Sequence, residues 1–383
     1  MNMKIKSIEL FKVPPRWLFL KMTTDDGIVG WGEPVVEGKA DTVAACVKEL
    51  GAQLIGHSAT DIEDAFQLMY RCGFYRGGPI LTSAISGIEQ AMWDIKGKAL
   101  GVPVYELLGG KVRDHIEVYR WIGGDHPRNT AEAVKEAISQ GYRAIKMNGT
   151  DEMRWIDTYS KIDATVARVA AIREVDKDIG IAVDFHGRVH KSMAKLLMHA
   201  LEPYRLMFVE EPVLCENEDE FLELSRSCHI PIATGERNFT RWGFKRMLSR
   251  GGVDIIQPDV SHCGGIWETR KIAAMAEAYD VSFAPHCPLG PIALASCLQV
   301  DFCTPNAFIQ EQSAGIHYNE GYDLLNYLNN PEIFHYENGT CKLLQGPGLG
   351  VDINEEYVRK MSEVEHDWHN PIWRDQDGNI AEW

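Results

Sequence analysis

No Cys-x-x-Cys pair occurs in this sequence, although it holds nine cysteines. Their number is odd and their spacing scattered. That argues against a zinc ribbon or a disulfide-stapled scaffold, and leaves reduced thiols acting as small apolar side chains. No run of about 18 apolar residues is present, so the chain encodes no membrane-spanning helix. The opening Met1-Asn2-Met3-Lys4-Ile5-Lys6 alternates like a strand and does not resemble a signal sequence, so a soluble, cytoplasmic protein is expected. Positive charge is in short supply: 39 Lys and Arg face 55 Asp and Glu, a net charge of −16. Such a surface repels nucleic-acid phosphates and anionic membranes, so neither partner is expected and a small molecule is the better candidate. A zinc hydrolase on a barrel would want an early His-x-His, and Val118-Tyr119-Arg120-Trp121 offers none.

What the chain does contain is a series of ionisable residues at even intervals. Asp184, Glu210 and Glu236 stand 26 residues apart, closing the short apolar runs Ile-Ala-Val, Leu-Met-Phe-Val and Ile-Ala-Thr-Gly. Asp259, His286 and Glu311 continue the series at gaps of 23, 27 and 25 residues. A strand, a helix and two loops occupy about that length, and a (β/α) barrel keeps its chemistry at the carboxyl ends of its strands.

The length of 383 residues suits a barrel with an appended domain. Residues 4–12 and 16–24 read as two strands around Pro14-Pro15, followed by helical patterning over 40–55, 60–72 and 82–99. An α+β domain is expected over 1–125 and a barrel over 126–318, its strands ending near Ile122, Met147, His186, Glu210, Gly235, Gln257, Pro285 and Glu311. The polar, turn-rich segment 319–383 is expected to return to the first domain.

Asp184, Glu210 and Glu236, without Cys or a His pair, point to a hard cation held by oxygen, Mg2+ with Mn2+ as the alternative. A single acid of this kind is more often a helix cap or an ion-pair partner. Three at matching strand ends are a site. Glu211 follows Glu210 directly, and strand alternation lets only one of them face the metal. His186 lies two residues after Asp184, so both point toward the barrel axis. His286 lies across the barrel mouth, and Asp259 on the neighbouring strand can orient its imidazole as a general base. Glu311, if protonated, can donate to developing oxyanion charge. Lid residues that read the substrate are sought in Pro14 to Phe19, including Arg16 and Trp17, and in Tyr75 and Arg76.

The motifs Val29-Gly30-Trp31-Gly32-Glu33-Pro34, Glu210-Glu211-Pro212, Gly235-Glu236-Arg237 and Ile255-Ile256-Gln257-Pro258-Asp259 resemble the mandelate-racemase-like branch of the enolase superfamily over the whole chain. Phe74-Tyr75-Arg76-Gly77-Gly78, Lys146-Met147-Asn148-Gly149-Thr150, Val183-Asp184-Phe185-His186-Gly187-Arg188, His286-Cys287-Pro288-Leu289-Gly290-Pro291 and Asn370-Pro371-Ile372-Trp373 are similar to its sugar-acid dehydratases, those acting on galactonate above all. The resemblance implies an α/β fold: a (β/α)7β TIM-type barrel under an α+β capping domain formed by both chain ends. It also implies Mg2+ on Asp184, Glu210 and Glu236, His286 with Asp259 as base, His186 as acid, Glu311 as enolate stabiliser, and substrate contacts from Lys146 and Asn148. Many relatives carry Lys-x-Lys where this chain has Lys146-Met147-Asn148. The base that racemases use on one substrate face is therefore missing, which favours dehydration. A dehydratase of gluconate, mannonate or a deoxy acid, a racemase or epimerase, and a non-catalytic family member are the alternatives. A homo-oligomer is expected by analogy.

Overall fold

The computed structural model describes residues 3–126 and 128–383. The chain opens with an antiparallel sheet of β1 (Ile5–Val13), β2 (Trp17–Thr24) and β3 (Val29–Gly32), with Leu10 opposite Leu20 and Leu20 opposite Gly32. Helices α1 (Ala40–Leu54), α2 (Ile62–Arg71) and α3 (Pro79–Leu100) cover it. α3 is buried on nearly every side because it lies between this sheet and the barrel. The Gly-Trp-Gly of β3 makes that packing possible. A Cβ on Gly32 would lie 1.9 Å from the Gly87 carbonyl oxygen, and one on Gly30 would lie 2.2 Å from that of Ala91.

After the short α4 (Val104–Leu107) and β4 (His115–Val118), a parallel sheet runs in the order β5 (Arg120–Trp121), β6 (Ala144–Asn148), β7 (Gly180–Asp184), β8 (Phe208–Glu210), β9 (Ile232–Thr234), β10 (Ile255–Ile256) and β11 (Ser282–Phe283). It takes in Arg120 and Trp121, ahead of the division read at residue 125. β12 (Ile309–Gln310) closes the ring. It pairs in parallel with β4, and Phe283 bridges in parallel to Ala307. The helices α5 (Thr130–Ser139), α6 (Tyr159–Val175), α7 (Lys191–Leu201), α8 (Asp219–Ser227), α9 (Thr240–Arg250), α10 (Ile266–Glu277) and α11 (Pro291–Asp301) alternate with the strands, giving the expected (β/α)7β barrel. No helix among the described residues is long and apolar enough to cross a membrane.

One buried layer fills the barrel: Tyr119, Ala144, Ala182, Phe208, Ala233, Ile255, Ala284 and Ile309, one residue from each of the eight strand positions. Large and small side chains share the limited space on the axis. Because side chains repeat every two residues along a strand, this plug also fixes which residues face the mouth one layer higher.

β13 (Thr340–Lys342) pairs antiparallel with β4, and α12 (Glu355–Ser362) packs on β1, with Arg359 paired to Glu9 at 2.9 Å. Residues 366–383 then run back over the barrel mouth. Trp373 stacks on His126 with ring centroids 4.6 Å apart and lies under the Arg188 guanidinium at 4.4 Å.

Candidate active site

Two residues beyond the plug, the same strands present Trp121, Lys146, Asp184, Glu210, Gly235, Gln257, His286 and Glu311. The even spacing thus becomes a ring of side chains at one level of the barrel. Gly235 has no side chain to fill its place, and Glu236 occupies the mouth there. One oxygen from each of Asp184, Glu210 and Glu236 lies within 4.8 Å of the others, a separation suited to a single ion. Asp184 and Glu210 are fully buried. Glu210 Oε1 is buried without a hydrogen-bond partner among the described residues, and Glu236 Oε2 faces His286 Nε2 at 3.2 Å; a cation fits beside the free Glu210 oxygen. Glu211 turns away, with φ at 41°, to pair with Arg237. Only one of the two adjacent glutamates joins the triad, as strand alternation predicts.

Lys146 lies inside this ring. Its Nζ is 2.6 Å from Glu210 Oε2, 3.2 Å from Asp184 Oδ2 and 3.1 Å from Glu311 Oε1. Burial works to strip its proton, but Glu210, Glu311 and Asp184 hold it on, and its pKa is raised well above the ordinary lysine value. Burial and the neighbouring Asp184 push the Glu210 pKa upward as well, against the pull of Lys146. Glu311 is an acceptor at every contact, from Trp121 Nε1 at 2.7 Å, Lys146 Nζ and the Cys287 backbone N–H at 2.9 Å. Burial raises its pKa, yet Lys146 and His286 outweigh that and the net direction is down. This corrects the expectation of a protonated, donating Glu311: its environment suits the carboxylate.

His286 Nδ1 lies 2.8 Å from Asp259 Oδ2, and its Nε2 points to Glu236 at 3.2 Å. Burial lowers its pKa, but Glu236, Glu311 and Asp259 together raise it well above the usual value. His186 lies on another wall of the same cavity, of about 480 Å3. Its Nδ1 is 2.9 Å from Arg188 Nη2, and arginine can only donate, so Nδ1 accepts and the ring proton sits on Nε2, facing Asp184 Oδ2 at 3.0 Å. Burial lowers the His186 pKa, and the Arg188 and Lys146 charges add to that, against Asp184. Its φ of 48° is the left-handed conformation, uncommon in non-glycine residues.

The capping domain grips the side of the mouth that carries Asp259 and His286. Glu33 accepts from the backbone N–H groups of Gly290 at 2.7 Å and Ala293 at 2.9 Å, at the start of α11. Glu89 does the same at the start of α10, from Ile266 at 2.7 Å and Trp267 at 2.8 Å. Burial pushes each carboxyl up to about 8, although these N–H groups pull downward. Arg16 Nη2 donates to the Pro288 carbonyl at 3.0 Å. Glu37 lies 3.4 Å from His262 Nε2, which is itself 3.6 Å from Asp259 Oδ2, while Ser83 meets His262 Nδ1 at 3.1 Å. The loops carrying Asp259 and His286 are therefore held from above.

Of the residues expected at the site, Asp184, Glu210, Glu236, His186, His286, Asp259, Glu311 and Lys146 are brought together in this ring, and Asn148 lines the cavity, its Nδ2 donating to Gly124 O at 3.2 Å. Three are not. Trp17 is fully buried against Phe19 and Tyr327, because alternation along β2 turns it into the capping-domain core. Tyr75 is 83% exposed and Arg76 reaches over the Tyr70 ring, since the loop between α2 and α3 stands clear of the mouth. The structure adds Glu37, His262, Arg237, Tyr318, Asn370 and Trp383 to the cavity lining. Arg237, next to Glu236 in sequence, had a local signal; the others arrive from distant segments.

Residues 14–109 match the mandelate racemase / muconate lactonizing enzyme N-terminal domain, and residues 129–357 match the enolase C-terminal domain-like family. The chain belongs to the mandelate racemase / muconate lactonizing enzyme family of the enolase superfamily. It is 58% identical to the D-galactonate dehydratase of Pectobacterium atrosepticum and 56% identical to that of Xanthomonas campestris pv. campestris, covering 100% of each chain. Among solved structures, an enolase from Agrobacterium radiobacter with sodium and L-malate bound is similar at 31% identity and a TM-score of 0.88, covering 99% of this chain and 100% of that one.

Proposed function

We propose that this protein dehydrates D-galactonate to 2-dehydro-3-deoxy-D-galactonate, using Mg2+ with Mn2+ as the alternative. The observation that carries the reading is the pairing of full-length identity to D-galactonate dehydratases with an Asp-His dyad and a second histidine on separate walls of one cavity. Asp184, Glu210 and Glu236 would hold the ion, and the unpartnered Glu210 Oε1 fits that role. Bound there, a divalent cation supplies Lewis acidity toward the substrate carboxylate and so acidifies the neighbouring C2–H.

His286, which must enter neutral, takes the C2 proton at Nε2, with Asp259 fixing the ring through Nδ1; a cation held by Glu236 would offset the largest of the charges that keep the imidazole protonated. The C3–O bond then breaks as His186 passes a proton to the departing hydroxyl, so that water leaves. The enol takes a proton at C3 and becomes the 2-keto-3-deoxy acid. For this step His186 enters protonated, and Arg188 gives up its contact with Nδ1. The adjacent guanidinium charge then makes the imidazolium a stronger acid. Asn148 stands where a racemase would keep a second base, which supports elimination over racemisation.

The test is formation of 2-keto-3-deoxy acid by purified protein plus Mg2+ from a panel of five- and six-carbon aldonates, with and without EDTA. EDTA-sensitive product from D-galactonate is expected. Product from another acid alone would overturn the substrate, and C2 deuterium exchange without keto acid would overturn elimination.

A further inference from the structure

Three consecutive strand ends, those of β7, β8 and β9, meet at one guanidinium that the proposed reaction does not use. Arg237 follows Glu236 and lines the cavity with a partly exposed side chain. Its Nε donates to Glu211 Oε1 at 3.2 Å and its Nη2 to Glu211 Oε2, while the same Nη2 reaches the His186 carbonyl oxygen at 3.2 Å. Glu211 is fully buried, so the fork has a fixed anchor. The turn it reaches is left-handed at two successive residues: His186 and Gly187 have φ of 48° and 65°, and the Gly187 N–H donates to the Glu211 carbonyl at 2.9 Å. A Cβ on Gly187 would strike Arg237 Nη2, so the glycine leaves the space that the guanidinium fills. On the other side the His186 N–H donates to Asp184 Oδ1 at 2.8 Å. The backbone of His186 is thus gripped at both its N–H and its carbonyl.

Resting on the dehydratase reading above, we propose that Arg237 is a positioning residue: its guanidinium, anchored on Glu211, clamps the turn of His186 and Gly187 and so aims the imidazole that protonates the departing hydroxyl. The ring is also held by Arg188 at Nδ1, a contact given up when His186 carries its second proton. The carbonyl contact to Arg237 does not depend on the ring's protonation, so it is the hold that persists while the C3–O bond breaks. A planar fork spans a carboxylate and a carbonyl at once, which a compact ammonium does not. His286 is fixed by Asp259 instead, so removal of the C2 proton is spared when the clamp is loosened.

Arg237→Lys keeps a charge beside Glu211 and removes the fork. With saturating Mg2+ and D-galactonate in D2O, proton NMR reads loss of the C2 proton and formation of keto acid in one sample. Keto-acid formation should fall about 10- to 100-fold, the loss of one charge-assisted hydrogen bond, while the C2 proton is lost within about threefold of the parent rate, its deuterium appearing in unreacted galactonate. An equal fall in both rates, as a loosened metal site gives, or a fall in neither, overturns the proposal. Hydrogen–deuterium exchange by mass spectrometry reads the turn without any reaction: the peptide spanning 185–190 should exchange faster in the variant, and unchanged protection overturns the clamp. Absence of any reaction of D-galactonate with the parent would instead strike the dehydratase reading, and this second measurement alone then decides the clamp. Should Arg237→Lys fail to fold, Glu211→Gln, which keeps an acceptor and removes the anchor's charge, is read by the same two measurements with the same outcomes deciding.

Discussion

Replacing Lys146 with methionine tests whether the carboxylate ring is held together by a protein cation. Methionine keeps nearly the same stem volume, so the perturbation is the charge. The lysine side chain is 1% exposed and contacts Asp184, Glu210 and Glu311 at 3.2, 2.6 and 3.1 Å. Removing one partner of a buried ion pair leaves an uncompensated charge, at a cost of about 3–5 kcal/mol. Unfolding entropy of about 2.1 cal/mol/K per residue, over 383 residues, amounts to about 0.8 kcal/mol/K. In EDTA the variant should therefore melt about 4–6 °C below the parent by scanning calorimetry. With saturating Mg2+ the gap should shrink, because a second positive charge then neutralises Asp184 and Glu210 and adds binding energy to the folded state. A variant that melts within about 1 °C of the parent in EDTA, or a gap indifferent to Mg2+, would refute the reasoning.

The two histidines should separate by isotope exchange. His286→Asn should abolish both C2 deuterium incorporation and keto-acid formation, while His186→Asn should keep the exchange and slow dehydration about 10^2- to 10^4-fold, both read by proton NMR in D2O. Asp301 gives the pH dependence. It is fully buried in α11 and neither oxygen finds a partner among the described residues. Burial raises its pKa well above the ordinary value, against a weaker pull from Arg113. A raised folded-state pKa means stability present below the ordinary carboxylate range and lost as pH climbs toward the folded value, at about 1.4 kcal/mol per unit. Asp301→Asn should thus gain on the parent by about 2 °C in Tm per pH unit across that span and converge with it in acid; a constant difference would sink the assignment.

The barrel and its ring were legible because each depends on a local period. Asp184, Glu210, His286 and Glu311 each lie two residues past the plug layer, and that spacing is written in every strand. The lid was not legible by the same means. Arg16 ends the turn before β2 and Trp17 opens the strand; both are buried, yet the second enters the capping-domain core while the first reaches Pro288. His262 carries no local mark; its role comes from Glu37 and Ser83, more than 170 residues earlier. Trp383 depends on how far the chain travels after α12 before it turns back, and no periodicity encodes that.

The two glutamate clasps have a consequence for recombination. Glu33 and Glu89 bind backbone amides, and what each requires of the barrel is a glycine. A Cβ on Gly290 would lie 2.6 Å from Glu33 Oε1, and one on Gly265 would lie 2.2 Å from Glu89 Oε2. Neither clasp reads a barrel side chain. A chimera that joins this capping domain to another barrel should dock wherever those two glycines are kept, however far the rest of α10 and α11 has diverged. The Glu37–His262 contact needs a matching residue on both sides, so it is there that a mismatched pair of halves would first lose its grip on the base.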